Sequence, residues 1–228
     1  MWTNQPQAPC DTHLQARLRQ QLAHWLQSGR GSHPMALERD RLVARFLKYR
    51  IESRLIPLRD MQGRAAGTLA RSWIGTPDGR SLDGQTLRLI LRHDAAAQRA
   101  LQALWQQLHA CNYFLLAERQ GPLHLPLQPG EQALEATTTL QQLGLSARHV
   151  AVVIEPQCEP AASFQRQGLH VGISLARETW GSELPQDLHA GFVHLQPQRW
   201  AAQQLNSLQR WAQQHAARII RHGALLCA

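Results

Sequence analysis

What the sequence lacks narrows its class before any motif is considered. No stretch of the 228 residues approaches the roughly 18 consecutive apolar residues of a membrane-spanning helix. The first residues, Met1–Gln5, lack the basic and apolar regions of a secretory signal peptide, so a cytoplasmic location is predicted. With 12 prolines and 15 glycines the chain is no collagen-like polymer, and 43% hydrophobic residues suffice for a sizeable core.

The cysteines follow no metal-binding or redox pattern. Cys10, Cys111, Cys158 and Cys227 form no C-x-x-C pair, and none has a histidine at zinc spacing. We expect them to be small buried hydrophobic residues. The sequence also lacks the H-E-x-x-H, G-x-G-x-x-G, G-x-S-x-G and P-loop motifs. These absences argue against zinc proteases, dinucleotide-binding enzymes, α/β-hydrolases and P-loop nucleotidases.

Lysine is almost absent, and Lys48 is the only one among 24 basic residues. The net charge of +8 permits nucleic-acid binding through phosphate contacts. Because no RNP-like, zinc-finger or zipper pattern accompanies that charge, nucleic acid ranks behind a protein partner. Clustering of the N-terminal basic residues on one face would strengthen the nucleic-acid hypothesis, and scatter would contradict it. These residues are Arg17, Arg19, Arg39, Arg41, Arg45, Lys48, Arg50 and Arg54.

The first 50 residues are predicted to form a helical extension. Leu14, Leu18 and Leu22 recur at helical spacing, and the glycine- and proline-containing stretch 29–34 ends that helix. A second helix is predicted from about Met35, on apolar residues between Leu37 and Leu47. Two amphipathic helices packed on the domain and a helical docking element both remain open.

Residues 51–228 are predicted to form one α/β domain. Short β-like runs alternate with helical stretches, which is typical of a parallel α/β fold, and seven strands favour a barrel. The predicted strands are Arg54–Arg59, Ala65–Ser72, Leu123–Leu127, Val150–Glu155, His170–Leu175, Phe192–Leu195 and Ile219–Ile220. The predicted helices are Ala95–Ala110, Glu131–Leu143, Ala161–Gln167 and Pro197–Ala217.

The order of these segments resembles the EAL domain of bacterial cyclic-di-GMP phosphodiesterases, over roughly residues 50 to 228. Gly67–Arg71 stands where the family has E-A-L-x-R, and Leu123–Leu127 resembles its L-x-x-N strand. Val153–Cys158 lies at the E-[IL]-T-E position, and Gly168–Leu175 resembles the strand that leads to D-D-F-G. Phe192–Gln196 lies at the K-x-D position. The resemblance implies a (β/α) barrel with its site at the carboxyl ends of the strands.

The resemblance also implies where the catalytic groups of active members would lie. In those members acidic residues and an asparagine bind two Mg²⁺ or Mn²⁺ ions that activate a water. The matching positions here carry mostly other residues, namely Gly67, Pro126, Ser174, Leu175, His194, Gln196, His222 and Leu225. Only Glu155 matches a metal carboxylate, and Arg71 matches the phosphate-binding arginine. The sequence therefore predicts no catalytic residue, no metal or other cofactor, and no enzyme activity, with Arg71 paired to Glu155.

The chain ends where family members continue through another helix and strand, so the barrel is expected to be incomplete at its C-terminus. The N-terminal helices or a partner protein could cover the open edge. The predicted function is that of a regulator in bacterial signalling (motility, biofilm or transcription control) that binds another protein, with Trp25, Trp180 or Trp200 at the interface. The alternatives are a cyclic-di-GMP receptor that uses Arg71, a nucleic-acid-binding protein, and an enzyme of different chemistry based on His194 and His222.

Overall fold

The computed structural model describes residues 16–20, 22–24, 34–115, 121–127, 138, 140–145, 149–154, 161–166, 169–175, 190–195 and 200–221. Their strands are β1 (Met35–Glu38), β2 (Arg41–Phe46), β3 (Tyr49–Asp60), β4 (Ala65–Gly75), β5 (Ser81–Leu82), β6 (Leu123–Pro126), β7 (Val150–Ile154), β8 (His170–Leu175), β9 (Phe192–Leu195) and β10 (Arg218–Arg221). The helices with described bounds are α1 (Gly84–Ile90), α2 (Ala95–Phe114), α3 (Ala161–Arg166) and α4 (Ala202–Gln214).

Seven of the strands close into a barrel, in the order β3-β10-β9-β8-β7-β6-β4 and back to β3. The neighbouring barrel strands β4, β6, β7, β8, β9 and β10 run parallel to one another. Strand β3 is antiparallel to both β4 and β10. The closing pairs include Asp60 with Ile220. The expectation of an incomplete barrel is therefore corrected, because β3 occupies the edge that the sequence suggested would stay open.

The strand sequences explain why the barrel forms here. Both faces of a parallel barrel strand are buried, so such strands are apolar throughout rather than alternating. Val150–Ile154 is buried at all five positions, and Phe192–Leu195 at all four. All seven predicted strands are present, with shifts of no more than three residues at their ends except in β3, which begins five residues before the predicted Arg54. A small cluster fills the barrel interior, formed by Leu58, Ala66, Leu69, Ala151, Val153, Phe192 and Ile220.

The helices cover the outside of the barrel. The Asp94 carboxylate accepts a hydrogen bond from the Ala97 N–H and caps α2, whose apolar face includes Leu101, Leu104 and Leu108 as predicted. The predicted helices 161–167 and 197–217 are confirmed as the shorter α3 and α4. Of the predicted helix Glu131–Leu143, the described residues 138 and 140–142 are helical, Leu143 is in a turn, and the others lie outside the described part.

The N-terminal 50 residues are only partly helical. Residues 16–20 and 22–24 are helical, and Leu18 and Leu22 are buried in the main core. The helix predicted from Met35 is wrong, because β1 and β2 form a hairpin that continues the sheet. Its two-residue turn places Arg39 and Asp40 at positive φ, 47° and 64°. The boundary predicted at residue 50 falls inside β3. This strand joins the hairpin and the barrel, which belong to one sheet.

A helix side chain fixes the hairpin to the rest of the fold. The Leu42 N–H donates to Oδ1 of Asn112 over 2.9 Å, and Nδ2 of Asn112 donates to the Leu42 carbonyl over 2.8 Å. Asn112 thus satisfies both backbone groups of Leu42 where the β2–β3 ladder ends at Val43. No helix among the described residues is long and apolar enough to span a membrane.

Candidate binding site at the barrel mouth

The parallel strands all end on one side of the barrel, and two of the described family-motif positions lie there. Pro126 is the last residue of β6, and Ser174 lies one residue before the end of β8. Glu155 directly follows β7 and lies outside the described residues, as do Gln196, His222 and Leu225. The predicted pair between Arg71 and Glu155 therefore stays a prediction.

Arg71 lies just beyond the barrel interior. It follows Leu69, which lines the barrel, by two residues on β4, so both side chains are on the same face of the strand. Arg71 is exposed and directly opposite Arg54 of β3, which is also exposed. The Arg54 guanidinium lies over the Trp73 ring, 5.7 Å from its centroid. The site thus combines two facing cations and a half-buried indole.

A third arginine, Arg41, lies on the same sheet face but beside a carboxylate. Arg41 of β2 is directly opposite Glu38 of β1, and the β2–β3 ladder ends at Val43 before it reaches Arg41. We therefore call Arg54 and Arg71 alone the arginine row. Neither has a carboxylate partner among the described residues; on this face the carboxylates of Glu38 and Glu52 both pair with Arg50. Cross-strand neighbours of like charge destabilise a sheet, so an anion placed between them would stabilise it.

Two buried histidines form the floor beneath the row. Nδ1 of His124 lies 3.0 Å from Nε2 of His194, and Nε2 of His124 lies 3.1 Å from the Ala66 carbonyl. A carbonyl only accepts, so Nε2 of His124 carries a proton and donates to Ala66. The neutral form of His124 then accepts at Nδ1 from Nε2–H of His194, an arrangement that suits a fully buried pair.

Glycines make room for these histidines. A Cβ on Gly67 would lie 2.5 Å from Nε2 of His124 and 2.5 Å from the Pro122 carbonyl oxygen, and Gly67 has a φ of 128°. A Cβ on Gly172 would lie 3.1 Å from the His194 ring. The position of the family's first glutamate is thus occupied by a glycine that the packed His124 ring requires.

The described mouth residues fit an anion better than a cation. No group of three or more His, Cys, Asp or Glu side chains that could hold a metal ion occurs within the described ranges. Gly67, Pro126 and Ser174 supply no carboxylate at their motif positions, so they do not fit the pair of hard cations that the family uses. Guanidinium groups bind phosphate or carboxylate, and an indole face packs against a flat ring.

Arg71 was predicted from the sequence, but its neighbours in space were not. Arg54 was noted only as one of eight basic residues, and Trp73 and His124 were not singled out. Arg71 and Trp73 are two residues apart, so their shared face could have been predicted once β4 was extended past residue 72. Trp200 is partly buried against the main core, whereas Trp25 and Trp180 lie outside the described residues.

Comparisons with known proteins identify the fold. No protein-family model and no curated protein matches the sequence. The phosphodiesterase PaMucR, solved in complex with c-di-GMP, matches with a TM-score of 0.56 at 11% identity, over 78% of this chain and 96% of that one. The chain has the fold of an EAL domain. The expected fold class is confirmed.

Two larger proteins share the EAL fold. Vibrio cholerae LapD, solved as its S helix, GGDEF and EAL regions, matches with a TM-score of 0.53 at 14% identity, over 74% of this chain and 46% of that one. Bacillus subtilis YkuI, solved with c-di-GMP and calcium, matches with a TM-score of 0.51 at 11% identity, over 74% and 47%. The chain therefore spans less than half of these two structures.

The comparisons also correct the prediction that this chain is not an enzyme. That prediction rested on the side chains at the motif positions. The solved structures that share its EAL fold include PaMucR, a phosphodiesterase, and Bd1971, an EAL enzyme. The fold is thus one that carries phosphodiester chemistry.

Proposed function

We propose that this EAL-fold chain acts in cyclic-di-GMP signalling by binding the dinucleotide at the barrel mouth. The observation that carries the proposal is the arginine row, in which Arg54 and Arg71 face each other without a carboxylate partner among the described residues. PaMucR and YkuI, which share the fold, were solved with c-di-GMP. The sequence had favoured a protein partner over the dinucleotide, and the arginine row reverses that order.

The chemistry of the mouth suits such a ligand. A cyclic dinucleotide carries two phosphates and two flat bases. Arginine binds phosphate oxygens through two parallel N–H groups, which makes it well suited to hold each phosphate. Trp73, two residues beyond Arg71 on the same strand face, offers a ring on which a base can stack once Arg54 turns towards phosphate.

Isothermal titration calorimetry with cyclic-di-GMP tests the proposal. A hydrogen bond to a charged group contributes about 1.5–3 kcal/mol, so Arg71→Ala should weaken binding by about tenfold or more. Arg80→Ala is the matched control, because Arg80 is an equally charged, exposed arginine in the turn between β4 and β5. Absence of a saturable heat in the wild-type protein, or an equal loss in both variants, would contradict dinucleotide binding at the arginine row.

A second candidate function is the binding of a partner protein through the β1–β2 hairpin. The observation that favours it is the exposure of two large apolar side chains, Leu37 at 58% and Leu47 at 72%, on the hairpin and the turn that follows it. Exposed apolar residues rimmed by charge often mark protein interfaces. The helical docking element considered from the sequence is replaced here by a hairpin.

Affinity capture from the source organism with Leu37→Glu and Leu47→Glu variants tests this second candidate. A partner identified by mass spectrometry should be lost with either variant. It should be retained with Leu89→Glu, which changes an equally apolar residue that is 64% exposed on α1, outside the hairpin. Retention of every specific partner by both hairpin variants would place the interface elsewhere.

A further inference from the structure

The cationic surface does not end at the arginine row. Arg45 of β2 is directly opposite Arg50 of β3, and both side chains are on the same face of the sheet as Arg54 and Arg71. We call the surface formed by these residues and Arg41 the arginine face. Four of the eight N-terminal basic residues singled out in the sequence thus cluster on one face, which strengthens the nucleic-acid hypothesis.

The charge on this face is only partly neutralised within the protein. Glu38 and Glu52 both pair with Arg50, and Nη2 of Arg50 lies 2.8 Å from Oε2 of Glu38. The arginine row has no carboxylate partner in the part of the chain that the structure describes; Arg45 forms no ion pair there, although its charge, after that of Arg50, helps to lower the pKa of Glu38. Arg54 and Arg71, opposite one another on adjacent strands, repel, and Arg45 adds a further cation that forms no ion pair among the described residues, so the face can bind a polyanion.

The spacing of the cations favours an extended ligand over a compact one. Arg50 and Arg54 are four residues apart on β3, which corresponds to about 13 Å along the strand. A ligand seated at the arginine row therefore leaves Arg45, opposite Arg50, uncovered. A chain with regularly repeating negative charges can contact Arg45 and the arginine row at once.

The aromatic residue on the arginine face favours single-stranded nucleic acid over a duplex or an acidic polypeptide. Trp73 lies between the two arginine pairs in the register, directly opposite Glu52, and its ring is half-buried with a cation already over it. Base stacking on aromatic rings is a general means of holding unpaired nucleotides, whereas bases in a duplex are stacked on one another. An acidic polypeptide offers no flat base to stack on this half-buried indole.

We propose that the arginine face binds single-stranded nucleic acid, with phosphates on Arg45 and on the Arg54–Arg71 pair and a base on Trp73. This site overlaps the proposed dinucleotide site at Arg54 and Arg71 and extends beyond it to Arg45. Recognition is of backbone charge and of any unpaired base, so little sequence preference is expected.

Fluorescence anisotropy with a labelled oligothymidylate of about twelve nucleotides tests the proposal. Arg45→Ala should weaken binding several-fold and reduce the salt dependence of log K by about 0.7, the value expected when the protein neutralises one phosphate fewer on a single strand. Trp73→Leu should weaken binding by about fivefold or more. Arg80→Ala removes an exposed arginine charge that is already paired with Asp78 in the turn between β4 and β5, and it should leave the affinity within twofold.

Several outcomes would overturn this inference. Equal weakening by Arg80→Ala would show attraction to net charge alone. Equal affinity for a duplex of the same length would remove the role of Trp73, and displacement by poly-L-glutamate at equal charge concentration would indicate an acidic protein instead. Arg45→Ala should leave the cyclic-di-GMP titration unchanged. Dinucleotide binding without oligonucleotide binding thus contradicts only this inference, and the reverse result contradicts only the proposed dinucleotide function.

Discussion

Both ends of the barrel carry arginines, but in the described part of the chain a carboxylate neutralises them at only one end. At the end opposite the mouth, Asp60 is 2% exposed at its side chain and accepts from Nε of Arg64 over 2.8 Å and from Nη2 of Arg218 over 3.0 Å. At the mouth, Arg54 and Arg71 face each other without such a carboxylate among the described residues. Arginines that pair with a carboxylate of the protein contribute to its stability, whereas arginines without such a partner remain available to a ligand.

The closed end also shows how a buried carboxylate is kept ionised. Two backbone N–H groups, of Gln62 and Arg64, donate to Oδ1 of Asp60 over 3.0 and 2.9 Å. Burial alone would raise the pKa of Asp60, but the hydrogen bonds from Arg218 and Arg64 outweigh it and hold the pKa below its usual range. The carboxylate thus ties the end of β3 to the first residue of β10, where the barrel closes.

The largest loss of stability is expected from removing the Asp60 carboxylate at the closed end. Asp60→Ala should lower the free energy of unfolding by about 3–5 kcal/mol, because the partly buried Arg218 loses its counter-charge. Urea denaturation followed by circular dichroism measures the loss. Asp78→Ala removes an exposed carboxylate that pairs with Arg80, and it should cost no more than about 1 kcal/mol. Equal losses in the two variants would mean that the Asp60 network contributes nothing beyond a surface pair.

The next largest loss of stability is expected at the buried histidine pair, His124 and His194, that forms the floor of the mouth. Gly67→Ala should cost about 2–4 kcal/mol, because the new Cβ meets His124 and the Pro122 carbonyl and because φ is positive. Gly63→Ala is the matched control, since Gly63 also has a positive φ, 77°, but has no atom within 4 Å of the added Cβ. The control should cost only about 1–2 kcal/mol. A cost for Gly67→Ala no greater than for the control would show that the floor is loosely packed.

The sequence identified the barrel strands because buried parallel strands are apolar throughout, as in Val150–Ile154. It missed the β1–β2 hairpin because the turn at Arg39 and Asp40 contains no glycine or asparagine, and the apolar residues between 35 and 47 happen to fit a helical period. Closure by β3 was not predictable locally, since it pairs residues about 160 positions apart, such as Asp60 and Ile220.

The candidate site was predictable only in part, for the same reason. Arg71 was found because it lies within a recognisable motif on its own strand. Its partner Arg54 was not, because cross-strand register depends on tertiary pairing rather than on local sequence. Because β1, β2 and the start of β3 lie within residues 1–50, point variants on the hairpin test the partner surface more sharply than a deletion of this segment would.

A third prediction concerns pH and a buried histidine behind the mouth. His109 of α2 lies 2.7 Å from the Ser53 hydroxyl and 3.1 Å from the Ser72 hydroxyl, and burial lowers its pKa from 6.5 to about 4. The unfolded chain therefore binds a proton at a higher pH than the folded one. Stability from neutral His109 is fully present above pH 6.5 and is lost progressively as the pH falls towards 4.

Urea denaturation at a series of pH values measures this contribution. In His109→Gln, which keeps hydrogen-bonding groups near both serines, the fall in stability between pH 6.5 and 4 should be shallower than in the wild-type protein. The contribution of Asp60 should appear at lower pH, because its pKa lies below the ordinary carboxylate range and its stabilising charge is lost only on further acidification. Parallel pH profiles for the wild type and His109→Gln would exclude His109 as the source.

The smallest predicted change in the free energy of unfolding is a gain rather than a loss. It tests whether the arginines at the mouth are neutralised as those at the closed end are. Arg71→Gln removes one of two facing like charges, so it should stabilise the protein by about 0.2–1 kcal/mol while weakening the anion-binding site. Salt screens exposed charges, so the gain should shrink as ionic strength rises. Arg80→Gln, which removes a charge already paired with Asp78, should not stabilise. A destabilised Arg71→Gln variant would mean that Arg71 is neutralised within the fold, as Arg218 is, and that the mouth arginines serve the structure rather than a ligand.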